Sequence, residues 1–188
     1  TSGEAAMNAI NKRKFGNTFY HLGPARDTSV FENVKDNRTD LQNCDFILCT
    51  GLFDDYDNDL NYYKKFLINH VSKKLICTNP DLIVHRGNVE ELCAGSIAKV
   101  FEDLGGEVIY FGKPHKEVYN MCISPDEKVL AIGDNLRTDI KGANNLKIDC
   151  IFISDGVHRK EFNNFSELNN LLEKYNVTAN FFQKELKW

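Results

Sequence analysis

The 188-residue sequence predicts an α/β fold built on a parallel sheet. Strand-like apolar segments alternate with helix-like amphipathic segments along the chain, and this alternation is typical of βαβ units. Several strand-like segments run directly into glycine, asparagine or aspartate, at the positions where parallel sheets collect binding groups. With 42% hydrophobic and 27% charged residues, the composition is that of an ordinary globular protein with a real core.

The elements follow from local patterns. Helices are predicted over residues 4–13, 61–69, 91–104, 115–122, 138–145 and 165–174. Strands are predicted over residues 18–22, 46–52, 74–78, 107–111, 129–132 and 149–153. Thr1 and Glu4 have the spacing of a capping box at the start of the first helix. The clearest amphipathic helix, Glu91–Leu104, is stopped by a pair of glycines.

Charge and cysteine usage exclude several classes of protein. The formal net charge is −4 and the lysines form no basic stripe, so the chain has no nucleic-acid footprint. The six cysteines form no CxxC pair and no zinc spacing, which indicates reduced thiols in a cytoplasmic protein. No apolar run reaches the length of a membrane span and no signal peptide is visible, so we expect neither nucleic acid nor membrane as a partner.

Two acidic residues follow the predicted strand 129–132. Gly133 allows a sharp turn, Asp134 then stands at the carboxyl end of the strand, and Asp139 opens a helix after Thr138. Two carboxylates so placed suit a hard cation such as Mg²⁺, which prefers oxygen ligands and keeps several waters. The simpler alternative makes Asp134 a turn residue and Asp139 a helix-dipole acid. The spacing alone leaves both interpretations open.

Two further segments end strands in a similar way. Lys113 follows Gly112 and precedes a proline; there it could hold a phosphate as a compact point charge or be a solvated loop lysine. Asn79 and Asp81 flank a proline after the strand 74–78. Ordinary turn chemistry accounts for them, and a loop that faces a substrate is the alternative.

Taken together and in this order, the segments closely resemble the class IIA, NagD-like subfamily of haloacid dehalogenase-like phosphatases. The GKP segment resembles that family's third motif and GDNLRTDI its fourth. The TNPD segment, with Gly87 and Cys93–Ala98 after it, resembles the return from cap to core. The resemblance covers about residues 75–157, and extends more weakly to TSGEAA at the start of the chain.

The resemblance implies a Rossmann-like core with an inserted α/β cap, the cap at residues 1–82 and the C-terminal half of the core at residues 83–188. It implies Mg²⁺-dependent hydrolysis of a phosphate monoester, a small phosphorylated metabolite, through an aspartyl-phosphate. Cap motion would close the site.

The resemblance also assigns roles to single residues. It makes Lys113 the phosphate-binding lysine and Asp134 a direct Mg²⁺ ligand. It makes Asp139 a second acid of the metal site, which binds Mg²⁺ directly or supports its ligands. Asn79 and Asp81 become substrate-binding candidates. These roles are what the family match implies, and the spacing by itself does not assign them.

The nucleophile of the family is the first aspartate of an Asp-x-Asp motif ahead of the cap, and we expect that segment to be missing. Asp55 and Asp57 form Asp-x-Asp but lie within the predicted cap, in a dense acidic loop. We therefore expect the chain alone to be inactive. It would associate with the missing segment or form a homo-oligomer through unpaired strand edges. The alternative is an inactive remnant that serves as a binding or oligomerisation module.

Overall fold

The computed structural model describes residues 1–87, 89–124 and 126–187. It divides into two compact units, Thr1–Gly112 and the chain from Lys113 onward. Each unit contains a parallel sheet and helices, so the predicted α/β class is confirmed. Along the sequence, the boundary between the units lies after Gly112. The predicted boundary between cap and core lies between residues 82 and 83. The assignment of cap and core remains a prediction.

The first unit contains a four-stranded parallel sheet with the order β1-β2-β3-β6. Its strands are β1 (Phe19–Leu22), β2 (Phe46–Cys49), β3 (Lys74–Cys77) and β6 (Glu107–Tyr110). Apolar residues fill β2 and nearly all of β1 and β3, as expected of parallel strands covered on both faces. All four strands run the same way, so their carboxyl ends lie at one edge of the sheet.

Helices cover both faces of this sheet. Tyr63 of α2 (Leu60–Leu67) and Phe101 of α3 (Ala94–Asp103) are buried in the core of one face. Ala6 of α1 (Ser2–Asn11) is buried in the core of the other face. The predicted capping box is present: the Thr1 hydroxyl accepts a hydrogen bond from the Glu4 amide at 3.2 Å.

The predicted helix 91–104 was wrong at its amino end. Residues Val89–Leu92 form strand β5, which pairs antiparallel with β4 (Ile83–Arg86). Gly87, with a φ of +63°, lies in the turn of this hairpin. Glu91 pairs with Val84 across the hairpin, and this cross-strand pairing outweighs the helical periodicity that begins at residue 91.

The second unit holds a three-stranded parallel sheet, β7-β8-β9. Its strands are β7 (Leu130–Gly133), β8 (Asp149–Ile153) and β9 (Phe181–Gln183), and its helices are α4 (Lys116–Tyr119), α5 (Lys141–Leu146) and α6 (Phe165–Tyr175). Strand β9 was not predicted. Its three residues lie beside β8 through tertiary pairing rather than through a local pattern.

The core of the second unit lies between β8, α5 and α6. Cys150 and Phe152 of β8 are buried there with Leu171 and Leu172 of α6. Strand β7, in contrast, leaves Ile132 40% exposed.

All six cysteines are free thiols. Among the described residues, no helix is both long and apolar enough to cross a bilayer.

Candidate active site

The polar residues of the second unit gather at the carboxyl edge of its sheet. Strands β7 and β8 are parallel, with Gly133 beside Phe152, so the loops that follow them leave from the same edge. The first loop begins with Asp134 and Asn135. The second, residues 154–158, includes Gly156 and Val157. Parallel α/β sheets bind ligands at such an edge.

Lys113 and Asp139 form an ion pair between Nζ and Oδ1. The lysine side chain is 46% exposed, whereas the carboxylate is only 12% exposed. A cation at the surface therefore balances a mostly buried negative charge. The other oxygen, Oδ2, accepts a hydrogen bond from the Asn135 amide at 3.1 Å. Asp139 is thus held by two partners in a fixed orientation.

Asp134 is held by the second loop. Its Oδ2 accepts a hydrogen bond from the Val157 amide at 2.9 Å. A Cβ on Gly156 would lie within 3.0 Å of the Asp134 side chain, and a Cβ on Gly133 would lie as close to that of Asp139. Both carboxylates therefore depend on a neighbouring glycine for the space they occupy.

The chain between the two carboxylates forms a single wide, π-type turn over Leu136–Ile140. The Asn135 carbonyl accepts hydrogen bonds from the amides of Asp139 at 2.9 Å and Ile140 at 3.2 Å. The Asn135 side chain accepts a third from Arg137 at 2.9 Å. Wide turns of this kind are frequent at functional sites.

The oxygen-only donor set fits Mg²⁺. Asp134 and Asp139 supply carboxylates, and Mg²⁺ in proteins is held by one or two carboxylates while it keeps several waters. The Thr138 hydroxyl, next to Asp139, is buried without a hydrogen-bond partner in the part of the chain that the structure describes. That same part contains no group of three or more histidine, cysteine or acidic side chains placed to hold a metal ion.

Tyr119 of α4 lies beside this site. Burial raises the pKa of its hydroxyl to about 12, and the negative charge of Asp139 adds to the shift. The phenol is therefore protonated at neutral pH. Its hydroxyl oxygen occupies the space in which a Cβ on Gly142 would lie.

Asn79 and Asp81 lie in the first unit, after β3. The Asn79 side chain accepts a hydrogen bond from the Asp81 amide at 3.2 Å, and the Asp81 carbonyl accepts one from the Gly95 amide at 3.1 Å. These bonds are the turn chemistry that the sequence offered as one alternative.

A polar cavity of about 450 Å³ adjoins Asn79 at the carboxyl edge of the first sheet. Arg86 and Glu91, paired at 2.9 Å, line it. Arg26 and Asp54, also ion-paired, line it from the loops after β1 and β2. Asn79 borders the cavity, whereas Asp81 is not among the described residues that line it. The two substrate candidates are therefore placed differently.

Asp55 lies in a short 3₁₀ turn, Asp54–Tyr56, and is exposed to solvent. Residues 50–53 separate this turn from the end of β2. The solvated acidic loop expected from the sequence is what the structure contains at this position.

Comparison with known proteins shows which family one segment of the chain resembles. The HAD-hydrolase-like family profile matches residues 110–173, the segment that carries Lys113, Asp134 and Asp139. Over these residues the chain resembles haloacid dehalogenase-like hydrolases. The resemblance to class IIA of that superfamily is confirmed by its structural neighbours. A comparison with curated protein sequences gave no match.

Solved structures resemble this chain over 98% or more of its residues. A haloacid dehalogenase-like hydrolase from Brucella suis 1330 is 26% identical, with a TM-score of 0.84, and the alignment covers 100% of this chain and 71% of that one. A 4-nitrophenylphosphatase from Thermotoga maritima is 26% identical, with a TM-score of 0.67 and coverages of 98% and 69%. A p-nitrophenyl phosphatase from Archaeoglobus fulgidus is 14% identical, with a TM-score of 0.65 and coverages of 98% and 70%, and shares the fold.

The loop after β8 was missed by the sequence reasoning. Val157 binds Asp134, and His158 accepts a hydrogen bond from the Leu136 amide at 3.1 Å. A signal was available, since the carboxyl ends of neighbouring parallel strands share one edge. The residues that follow strand 149–153 are therefore expected at the same edge of the sheet as those that follow strand 129–132.

Proposed function

We propose that this chain supplies the phosphate-binding lysine and the acidic cation site of a Mg²⁺-dependent phosphatase that hydrolyses a phosphate monoester. The observation that carries the proposal is the ion pair of Lys113 with Asp139. Asp139 lies on the same short segment of chain as Asp134. Phosphoryl-transfer sites combine a positively charged side chain with carboxylates that hold a metal ion, and both stabilise charge on the phosphoryl group.

Each residue has a separate task. Asp134 offers a carboxylate for the cation, while the Val157 amide fixes its orientation. Asp139 holds the Lys113 ammonium through their ion pair. Lys113 then presents a point charge to a phosphoryl oxygen. A bound Mg²⁺ would neutralise charge on the phosphoryl oxygens.

A small phosphorylated metabolite is the proposed substrate, and residues 1–82 are the proposed cap. The polar cavity beside Asn79 supports both, because its paired arginines and carboxylates offer hydrogen bonds to hydroxyl or amine groups. Asn79 is the stronger of the two substrate-binding candidates because it borders this cavity. The proposed role of Asp81 is to shape the loop.

The proposal assigns the attacking aspartate to a segment outside residues 1–188. Asp55, which belongs to an Asp-x-Asp sequence, is exposed on a turn of the first unit. By motif order it falls in the proposed cap. Association with the segment that carries the nucleophile would complete the active site. A second copy of the chain would supply no nucleophile and would only cover unpaired strand edges.

Titration calorimetry with Mg²⁺ and then with inorganic phosphate tests the proposal on the chain itself. We expect Asp134→Asn to weaken Mg²⁺ binding by at least about tenfold, the lower bound for residues that support metal ligands. We expect Lys113→Met to weaken phosphate binding and leave Mg²⁺ binding in place. Asp126→Asn, an exposed acid of the same unit, is the matched control.

Two results would contradict the proposal. One is Mg²⁺ binding that Asp134→Asn leaves unchanged. The other is turnover of p-nitrophenyl phosphate by the chain alone that is abolished by Asp55→Asn, which would move the nucleophile into the chain. No turnover together with intact cation binding is the expected outcome.

The exposed strand β7 favours a second candidate, an inactive binding or oligomerisation module. Leu130 is 47% exposed and Ile132 is 40% exposed on a parallel strand, and such strands are normally covered. If neither Mg²⁺ nor phosphate binds while the chain self-associates, this candidate replaces the phosphatase.

A further inference from the structure

His158 is a buried histidine that the proposed reaction does not use. It lies in the loop after β8 and is 2% exposed. Its Nε2 accepts a hydrogen bond from the Leu136 amide at 3.1 Å, and its Nδ1 lies 2.6 Å from the Glu161 carboxylate. A backbone amide is always a donor, so Nε2 must carry no proton. The proton is therefore on Nδ1, which donates it to Glu161.

Glu161 is held in turn by α6. Its other oxygen accepts a hydrogen bond from the Tyr175 hydroxyl at 3.4 Å and lies 3.8 Å from the Lys174 ammonium. Tyr175 also accepts a hydrogen bond from Arg137 at 3.2 Å, and its ring packs 5.1 Å from that of His158. The network therefore returns to the wide turn at Arg137.

The pKa of Glu161 reflects this network. Burial acts to raise it, but the hydrogen bond from His158 and the charge of Lys174 act in the opposite direction, and the pKa lies below its ordinary value. The group is thus a carboxylate at neutral pH, which is the form that accepts the Nδ1 proton.

In sequence, Leu136 lies between the two acidic residues of the site, Asp134 and Asp139. Leu136 is completely buried, and a buried amide without a partner is costly. His158 supplies that partner, while the preceding residue, Val157, binds Asp134. Two successive residues of one loop therefore hold the carboxylate and the backbone of the wide turn.

We propose that His158, kept in its Nδ1–H tautomer by Glu161, is a positioning residue that fixes the turn from Asp134 to Asp139 and thereby sets its affinity for a divalent cation. The last step rests on the proposed function. His158 acts through the Leu136 backbone and touches no reacting group, so a catalytic role is not part of the proposal. Outer partners of metal ligands commonly alter metal affinity by about 10–100-fold.

The tautomer is tested without metal. In a long-range ¹H–¹⁵N spectrum of the ¹⁵N-labelled chain at neutral pH, we expect the unprotonated nitrogen of His158 to be Nε2. We also expect the Leu136 amide to exchange slowly with deuterium. A protonated Nε2, or a Leu136 amide that exchanges as fast as those of exposed loops, would overturn the proposal.

Substitutions test the link to the cation. His158→Phe keeps a ring against Tyr175 but removes the acceptor, and we expect Mg²⁺ binding to weaken about tenfold with faster exchange at Leu136. In His158→Gln the side-chain oxygen can accept the same amide, so both properties should be largely restored. Glu161→Ala leaves the ring in place and serves if His158→Phe fails to fold; the expected effect is the same.

Val177→Ala is the matched control, because Val177 is buried in the same core but outside the network. It should lower stability and leave Mg²⁺ affinity unchanged. Equal Mg²⁺ affinity in wild type, His158→Phe and Glu161→Ala would overturn the proposal. If the wild type binds no Mg²⁺, the proposed function fails, and the tautomer and the Leu136 exchange rate decide whether His158 positions the turn.

Discussion

The sheets of the two units differ in how completely their strands are covered. In the first unit, apolar residues of β2 and β3 are fully buried between helices on both faces. In the second unit, β7 exposes Leu130 and Ile132, and its residues alternate between exposed and half-buried. Yet β7 leads directly into Asp134. The better-covered of these two sheets borders the polar cavity, whereas a partly exposed strand leads into the proposed phosphoryl site.

The two units therefore differ in how many faces of their sheets are covered by a hydrophobic core. The first unit has a core on each face of its sheet, as expected of a layered α/β unit. The second has one buried cluster, formed with α5 and α6. A parallel strand with an exposed apolar face favours association with other chain segments. The contrast predicts that substitutions in the two sheets will have different consequences.

The largest expected effect is in the covered sheet. Leu75 of β3 is fully buried, so Leu75→Ala should lower the free energy of unfolding by about 2–5 kcal/mol. Leu130→Ala in β7 should change it by no more than about 0.5 kcal/mol, since much of that side chain is exposed. Urea unfolding followed by circular dichroism measures both. Equal losses would remove the contrast.

The next effect concerns space beside Asp139. Gly133→Ala would place a Cβ against that carboxylate, and we expect a loss of about 1–3 kcal/mol together with weaker Mg²⁺ binding. Gly3→Ala in α1 is the control, since an added Cβ there meets only ordinary contacts. It should be neutral or stabilising by up to about 1 kcal/mol. A tolerated Gly133→Ala would show that Asp139 can move.

Association should depend on β7. We expect Ile132→Lys to raise the dissociation constant for self-association at least about tenfold, which corresponds to about 1.4 kcal/mol, because the lysine would charge the exposed apolar face. Light scattering over a range of concentrations measures this. Val89→Lys, at a more exposed apolar position of the first unit, should have no effect. A wild-type chain that stays monomeric at all concentrations would contradict the prediction.

The smallest effect is the pH dependence of the first unit. Hydrogen bonds from the Thr18 and Asn17 amides lower the pKa of Asp45 below its ordinary value. Such a carboxylate stabilises the fold above its unfolded-state pKa, and this stability is lost as the pH falls through the lower, folded-state pKa. Asp45→Asn should therefore make the fall in stability between about pH 5 and pH 3 shallower.

Unfolding free energies at several pH values check this. Asp36→Asn, at an exposed acid of the same unit, is the control and should keep the wild-type slope. An unchanged slope in Asp45→Asn would contradict the expectation.

Local patterns predicted the elements well where local interactions decide them. Strand 149–153 and the capping box of Thr1 and Glu4 agree with the structure. The hairpin that ends at Leu92 was missed, because its pairing partner lies several residues earlier and its turn depends on Gly87. A helical period read within one segment contains no information about such a partner.

The candidate site shows the same limit. Motif order assigned Lys113 and Asp134 to one chemistry, and the structure places both in the second unit. The ion pair of Lys113 with Asp139 and the hydrogen bond from Leu136 to His158 connect residues more than twenty positions apart. The contact of Leu136 with His158 follows from the parallel pairing of β7 with β8, which a single sequence does not specify.

The wide turn at Leu136–Ile140 also fixes an angle. Each residue of an α-helix advances by about 100° around the axis, and a turn closed one residue later absorbs an additional residue before α5 begins. Deleting Arg137 would draw this loop into ordinary helical spacing and swing the Asp139 carboxylate away from the Lys113 ammonium. The number of residues between Asp134 and Asp139 is therefore as strict a requirement as the identity of either acid.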